Sequence, residues 1–297
     1  MSLPRATPLH YLEYALARLG LAAFDLLPVT ASLIGAKHIG TIIYYLLYNR
    51  RRLAIRNLLL TKVAQTPKEA RRIAKASFQH FAMLAVESLY LADRITPQTF
   101  HQYIDLEICD SARHVIDTPG TGVIVVSGHL GNWEVAGSAV SFHKPMAAIA
   151  RSMDNPLAQR LMLQRDSRQN ITVVDKNAAN PFSLIRALKQ GKLLAILVDQ
   201  YNFDHAINSP FLGVVTQTVV SPARLHLATH CPLIVGVGVR TGKLKFKFIC
   251  DEPPLTYAPT GDKEADVRRI TDELNVQLER YIRRYPEQYL WMHRRWR

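Results

Sequence analysis

Ser127 to Glu134, with the sequence SGHLGNWE, places a histidine five residues before a glutamate. A carboxylate that accepts one imidazole N–H fixes the tautomer of the ring and leaves the other nitrogen free to take a hydroxyl proton. His129 and Glu134 therefore indicate general-base chemistry. The alternative needs no chemistry, because a glutamate is favoured in the first turn of a helix and a histidine can simply end a strand.

The elements around this segment decide whether the two side chains can meet. Residues 122–127 form an apolar run that predicts a buried strand, with His129 just past its carboxyl end, where open α/β sheets bind ligands. On one continuous helix, residues five apart are about 140° apart around the axis. We therefore expect Gly131 to turn the chain and Asn132 to cap a helix that begins at Trp133.

Short apolar runs alternate with helical patterns along most of the chain, which predicts an α/β fold with a mainly parallel central sheet flanked by helices. The alternating stretch 243–250 follows Thr241-Gly242 and predicts an edge strand turned back by a hairpin. The predicted strands are 122–127, 145–150, 171–174, 193–198 and 232–240, and the predicted helices are 67–92, 133–142, 156–169, 181–190, 222–229 and 262–284.

The amino-terminal region is apolar and ends in a basic cluster. Residues 10–49 hold four full charges, and four arginines follow within residues 50–56. Neither charge-free stretch reaches the roughly 20 apolar residues of a spanning helix. The pattern favours helices that lie in the interface of an anionic membrane, against the alternative of an apolar helical pair packed on the main domain. We accordingly expect a membrane-associated helical region at 1–56 and an α/β domain at 57–297.

The overall charge predicts an anionic partner. Lysine and arginine number 37 against 24 aspartates and glutamates, a formal net charge of +13, which suits nucleic acid, a phosphorylated metabolite or an anionic lipid surface. The segment 280–297 interleaves arginines with aromatic rings, a pattern that fits a membrane interface, single-stranded nucleic acid or contacts with the chain's own domain. The spacing of the three cysteines predicts neither a metal site nor a disulfide.

Further polar side chains are predicted near the same edge of the sheet. Asp199 and Gln200 end another predicted strand, on the histidine's side of the sheet. Arg165 and Arg168 share a helix face with apolar residues, so that at least one of them emerges beside apolar surface. Such an arginine either pairs with a carboxylate or binds a phosphate, and the same two interpretations apply to Arg151.

Five segments form a combination that is much more specific than any one of them: HLGNWE at 129–134, ARSMDNPLAQRL at 150–161, LVDQ at 197–200, SPFLG at 209–213 and PEQYLWMHRRWR at 286–297. Together they resemble the bacterial late acyltransferases of lipid A biosynthesis, the lauroyl and myristoyl transferases. The resemblance runs in the family's order from about residue 10 to the end. The histidine-and-acid motif alone, HX4E, is shared with glycerolipid acyltransferases.

This resemblance implies a glycerolipid-acyltransferase-like fold and a specific reaction. A fatty acyl group would pass from acyl carrier protein, or acyl-CoA, to a hydroxyl of a lipid A precursor at the cytoplasmic face of the bacterial inner membrane, with no other cofactor and no metal. His129 would deprotonate the hydroxyl and Glu134 would orient the imidazole. Backbone N–H groups around Gly131 and Asn132 are candidate donors to the tetrahedral oxyanion.

The same comparison of motifs predicts direct transfer without an acyl-enzyme, because no cysteine falls in the motif. The expected partners are acyl carrier protein, the lipid A precursor and an anionic membrane surface, and not nucleic acid. The alternatives are an acyltransferase for another glycolipid or glycerolipid acceptor, and a protein that binds anionic lipid without catalysis. The predicted substrate-binding residues are Arg151, Arg165, Arg168, Asp199, Gln200 and Asn132.

Overall fold

A five-stranded, wholly parallel sheet lies at the centre of the chain. The computed structural model describes residues 6–15, 27–150, 153–160, 170–175, 181–201 and 206–297. The strands are β1 (Ile104–Ile108), β2 (Val123–Ser127), β3 (Met146–Ala150), β4 (Ile171–Asp175), β5 (Leu193–Leu197), β6 (Ala206–Phe211), β7 (Val214–Val219), β8 (Leu233–Val235), β9 (Val237–Gly242) and β10 (Lys245–Cys250). The order in the central sheet is β4-β3-β5-β2-β8.

Helices flank this sheet, as the alternating pattern predicts. They are α1 (Val29–Leu46), α2 (Tyr48–Leu60), α3 (Pro67–Leu91), α4 (Asp110–Asp117), α5 (Trp133–Ser141), α6 (Pro181–Lys189), α7 (Ser221–Thr229) and α8 (Lys263–Arg284). Strand β2 is buried along its whole length, which explains its unbroken run of β-branched residues. The predicted start of α3 is confirmed, since the Thr66 hydroxyl accepts the N–H of Glu69 at 3.2 Å and Glu69 in turn accepts the N–H of Gln65.

A second, three-stranded sheet has the order β1-β10-β9 and corrects two predictions. Strand β10 is not an edge strand, because it pairs with β9 on one side and with β1 on the other. Its charged face is partly neutralised by β1, where Glu107 lies 2.7 Å from the Lys247 ammonium. The predicted strand 232–240 is two strands in different sheets, divided at Gly236, where an added Cβ would lie 2.4 Å from the ring of Phe248.

The amino-terminal helices pack on α3. In the described part of the chain, no helix has both the length and the apolar character needed to cross a membrane. The expected boundary at residue 56 falls inside α2, where Ala54 and Leu58 belong to the main core.

The carboxy-terminal segment 286–297 also packs into the core. Trp291, Arg295 and Trp296 are all buried, and the two indoles stack with their centroids 6.0 Å apart. Of the three interpretations that the sequence leaves open for this segment, contact with the chain's own domain is therefore the one that the structure supports.

Candidate active site

His129 and Asp199 lie side by side at the carboxyl edge of the central sheet. Strands β2 and β5 are neighbours, and their register pairs Ser127 with Leu197, so the residues two positions further along each strand are level. The Nδ1 atom of His129 lies 2.8 Å from Oδ1 of Asp199. The backbone N–H of His129 donates to Oδ2 of the same carboxylate, also at 2.8 Å.

Burial and charge set the protonation of this pair. Burial by itself lowers the pKa of His129, but the charge of Asp199 and its hydrogen bond outweigh that effect, so the pKa is raised above its usual value. Burial likewise raises the pKa of Asp199, and the charge and hydrogen bonds of His129 reverse this to a net lowering. Because an ionised carboxylate only accepts hydrogen bonds, the neutral form of the ring carries its proton on Nδ1 and offers a lone pair on Nε2.

Two further side chains surround the free nitrogen. The Nε2 atom of Gln200 lies 3.2 Å from Nε2 of His129, a distance at which the amide donates to the imidazole lone pair. The ring of Trp133 packs edge-on against the imidazole with centroids 4.9 Å apart. The imidazole side chain remains 18% exposed, so an incoming hydroxyl can reach Nε2 once it displaces the Gln200 amide.

The carboxylate that is hydrogen-bonded to Nδ1 of His129 is Asp199, whereas the sequence predicts Glu134 in that position. Glu134 stands in the first turn of α5, with its side chain in the lining of a cavity of about 190 Å³. This cavity runs between α5 and the central sheet and is bounded largely by apolar or small side chains. The lining residues near the carboxyl edge include Ser127, Trp133, Glu134, Ala150 and Leu197, and those at the other end include Val140, Met146 and Ile171.

Asn132 is not among the residues that line this cavity, and its predicted role in substrate binding stays a prediction. Its side chain is buried, and its Oδ1 accepts the N–H of Val135 at 3.1 Å, which confirms the predicted helix cap. Its amide nitrogen lies 3.5 Å from the buried carboxylate of Glu87. Both ends of the Asn132 amide therefore have internal partners.

The backbone of the same turn is also engaged, so it does not supply the expected oxyanion donors. The N–H of Gly131 donates to the carbonyl of Gln288 at 3.0 Å, and the N–H of Asn132 donates to the carbonyl of Gly238 at 2.6 Å. The predicted turn at Gly131 is confirmed by its φ of +64°. An added Cβ there would lie 1.9 Å from the Gly238 carbonyl oxygen, which only glycine avoids.

A buried network that the sequence analysis missed lies beneath the turn. Arg240 donates to Glu87 at 2.5 and 2.6 Å and to Nδ1 of His80 at 2.7 Å. Burial, together with the charge of Arg240, lowers the pKa of His80 to about 3. The ring is therefore neutral, and with Nδ1 accepting from Arg240 its Nε2–H donates to the Gly131 carbonyl at 3.2 Å.

The carboxy-terminal segment 286–297 is hydrogen-bonded to the loop that carries His129 and to the loop that carries Asp199 and Gln200. The N–H of Leu290 donates to the His129 carbonyl at 3.1 Å, and the N–H of Tyr201 donates to Nε2 of His293 at 3.2 Å. The buried guanidinium of Arg295 donates to the Gln200 carbonyl at 3.1 Å, and its charge contributes to the lowered pKa of Asp199. The arginine-and-aromatic pattern marked this segment, but no local signal related it to the histidine.

Three predicted site residues, Arg151, Arg165 and Arg168, lie outside the described residues. Of the predicted helix 156–169, residues 156–160 are described and helical. The structure thus brings together His129, Asp199 and Gln200, with Glu134 on the adjoining cavity.

Comparisons of the sequence with known proteins agree on one family. Residues 3–297 match the model for the bacterial lipid A biosynthesis acyltransferases. The lipid A biosynthesis palmitoleoyltransferase of Escherichia coli (strain K12) is 25% identical over 87% of this chain and 82% of its own length. The lipid A biosynthesis lauroyltransferase of the same organism is 24% identical over 87% of this chain and 83% of its own length.

Among solved structures, the 1-acyl-sn-glycerophosphate acyltransferase PlsC of Thermotoga maritima aligns over 82% of this chain and 97% of its own. The TM-score is 0.35 at 13% identity, a value too low to establish a shared fold. The family match, in contrast, covers nearly all of the sequence, including the histidine motif and the carboxy-terminal segment. The chain therefore belongs to the bacterial lipid A biosynthesis acyltransferase family and is an acyltransferase.

Proposed function

We propose that this protein transfers a fatty acyl group from an acyl thioester to a hydroxyl of a lipid A precursor, with His129 as general base. The observation that carries the proposal is the pairing of His129 with the buried Asp199 at the edge of an apolar cavity. A neutral imidazole whose Nδ1–H is held by a carboxylate is the arrangement that general-base catalysis requires.

The reaction proceeds by direct attack. Nε2 of His129 takes the proton of the acceptor hydroxyl as the hydroxyl oxygen attacks the thioester carbonyl carbon. The tetrahedral intermediate collapses by breaking the carbon–sulfur bond, and the imidazolium returns its proton to the departing thiolate. Asp199 stabilises the imidazolium while it exists, which is consistent with the raised pKa of His129.

The cavity beside the histidine suits the acyl chain of the donor. Small residues on the facing strands, among them Ala148 and Ala195, leave room along the sheet, and Met146 and Ile171 lie at the end away from the carboxyl edge. An apolar chain in this cavity would place its carbonyl carbon near the mouth, next to Trp133. Burial of its methylene groups contributes about 0.8 kcal/mol each.

Glu134 and the arginines complete the proposed substrate site. Because Glu134 lines the cavity near the mouth, we assign it to the acceptor, as a carboxylate that accepts hydrogen bonds from substrate hydroxyls. Arg151, Arg165 and Arg168 are proposed to bind substrate phosphate, in line with the net charge of +13. The same positive charge suits either donor, acyl carrier protein or acyl-CoA, since the carrier is an acidic protein and CoA carries phosphate groups.

The decisive experiment is an in vitro assay with a tetra-acylated lipid A precursor and acyl carrier proteins of several chain lengths. We expect His129→Ala to lose roughly a hundredfold or more of the wild-type rate, as removal of a general base does. His114→Ala, at an exposed position on α4, is the matched control and should keep full activity. Retained activity in His129→Ala would refute the mechanism, and an unchanged lipid A profile in a deletion strain would favour another glycolipid or glycerolipid acceptor.

A further inference from the structure

Arg240 lies where helix α3, strand β9 and the carboxy-terminal segment meet. Its side chain reaches α3, where it donates to both carboxylate oxygens of Glu87 and to Nδ1 of His80. Its backbone lies in β9 and pairs with the side-chain amide of Gln288. The Arg240 N–H donates to Oε1 of Gln288 at 2.8 Å, and the Gln288 amide donates to the Arg240 carbonyl at 2.9 Å. One residue thus connects three separate parts of the fold.

Two of these partners hold the histidine turn, which we define as residues 129–132. The Nε2–H of His80 donates to the Gly131 carbonyl at 3.2 Å. The Gln288 carbonyl accepts the N–H of Gly131 at 3.0 Å. Both polar backbone groups of this glycine are therefore bonded to direct partners of Arg240.

The third partner, Glu87, acts at the end of the histidine turn, where α5 begins. Its carboxylate lies 3.5 Å from the amide nitrogen of Asn132, and the hydroxyl of the adjacent Ser88 donates to the Asn132 Oδ1 at 3.4 Å. The same Oδ1 caps α5 by accepting the N–H of Val135. Helix α3 therefore fixes the position of the helix whose first turn lines the cavity.

The ion pair at the centre of this network is too buried to be explained by stability alone. The side chains of Glu87 and Arg240 are 1% and 14% exposed. Transfer of two charges out of water costs about as much free energy as their attraction returns, so that apolar side chains of similar volume are often as stable. A fully hydrogen-bonded polar network supplies one fixed arrangement of the groups that it joins. A guanidinium suits this position, because its planar set of donors serves a carboxylate and an imidazole at once.

We propose that Arg240 is a positioning residue for His129 and acts on the histidine turn through its partners on α3 and on the carboxy-terminal segment. The proposal rests on the proposed function, because it concerns how the general base is held. Both the imidazole and the backbone N–H of His129 bind the Asp199 carboxylate at 2.8 Å, so a shift of the turn moves the base relative to its partner. A displacement of about 1 Å at a reacting group costs roughly a hundredfold in rate.

Replacement of both charges together separates positioning from stability. The paired variant Arg240→Met/Glu87→Leu removes the ion pair without leaving a buried charge unpaired. Its control is Lys144→Met, which removes another buried cation. The Lys144 ammonium donates to three carbonyls near the amino edge of the sheet, those of Val115, Thr118 and Thr121, at 3.3, 2.8 and 2.7 Å.

The readouts are kcat, KM, the pH dependence of activity and thermal denaturation. In the paired variant kcat should fall roughly 10–100-fold, with KM unchanged because the cavity is retained. Asp199 raises the pKa of His129, and a displaced imidazole loses part of this effect. The paired variant should therefore lose activity at a lower pH than the wild type as the pH falls. Lys144→Met should lower the melting temperature and yet keep the wild-type kcat and pH dependence.

Arg240→Lys provides a second variant that keeps a positive charge beside Glu87. A lysine lacks the planar donor set, so kcat and the pH dependence should lie between those of the wild type and the paired variant. Wild-type kcat and pH dependence in the folded paired variant, or in Arg240→Lys if the paired variant does not fold, would overturn the positioning role. A fall in kcat that Lys144→Met reproduces would overturn it as well. Either result would leave the general-base proposal standing, since His129→Ala tests that proposal separately.

Discussion

Replacement of Asp199 by asparagine gives the sharpest test of the proposed mechanism, because the carboxylate makes two contacts that one amide cannot both reproduce. Oδ1 accepts from Nδ1 of His129 and Oδ2 accepts from its backbone N–H. If the amide oxygen keeps the backbone contact, the NH₂ group faces Nδ1 and moves the imidazole proton to Nε2. If the amide oxygen instead accepts from Nδ1 of His129, the NH₂ group faces the backbone N–H of His129, and two donors oppose each other.

The expected loss follows from either arrangement. The wrong tautomer removes the base, and the loss of the negative charge removes the stabilisation of the imidazolium. We therefore expect kcat/KM to fall by roughly 10²–10⁴-fold, or about 3–5 kcal/mol of transition-state stabilisation. Because Asp199 raises the pKa of His129, the variant should also lose activity at a lower pH than the wild type as the pH falls.

The assay is the dependence of kcat/KM on pH for the wild type, Asp199→Asn and Glu134→Gln, with thermal denaturation of each protein as the control for folding. Glu134→Gln should lose activity at the same acidic pH as the wild type, because Glu134 is not the hydrogen-bond partner of Nδ1 of His129. A folded Asp199→Asn variant with wild-type activity, combined with a shifted acid limb in Glu134→Gln, would refute the reasoning and return the orienting role to Glu134.

Three further predictions follow from the surroundings of the dyad. Gln200→Glu places a carboxylate next to Nε2 of His129 and should raise the pKa of the imidazole further, so that kcat/KM at neutral pH falls and recovers at higher pH. Gln200→Met should lose activity at the same acidic pH as the wild type. The same pH dependence in both variants would contradict the contact between Gln200 and His129. Ala148→Phe fills the cavity from the middle of β3 and should shift the enzyme's preference to shorter acyl donors, as measured by mass spectrometry in a competition assay. An unchanged preference for chain length would mean that the acyl chain binds elsewhere. Arg295→Met removes a buried guanidinium that donates to three acceptors and should lower the free energy of unfolding in urea by about 2–4 kcal/mol. A change below about 1 kcal/mol would show that these hydrogen bonds do not stabilise the fold.

The local features of the fold could be predicted from the sequence because short-range chemistry determines them. The buried runs of the parallel strands, the Asn132 cap and the turn at Gly131 each depend on residues within a few positions. Strand β1 could also have been predicted, since Ile104, Leu106 and Ile108 alternate with acidic residues. The alternating pattern of β10 shows that one face of a strand is covered, and it does not tell whether the strand has one neighbour or two.

The pairing of Asp199 with His129 could not be predicted, because it depends on strand order. His129 and Asp199 are 70 residues apart, and the sequence placed both at the same edge of the sheet without relating them to each other. Only the adjacency and register of β2 and β5 make them level. Glu134 was preferred because it is near in sequence, although the first turn of α5 directs it to the cavity lining.

The hydrogen bonds from the carboxy-terminal segment to the loops of His129 and Asp199 have a consequence for biosynthesis. During translation the histidine loop and the Asp199 loop emerge long before Leu290, His293 and Arg295 are made. A nascent chain therefore lacks the groups that hold its dyad until residues 290–295 have been made, and we expect it to be inactive before that point. Ordering contacts between such distant parts of the chain is slow, so a ribosome-bound intermediate would leave its lipid substrate untouched.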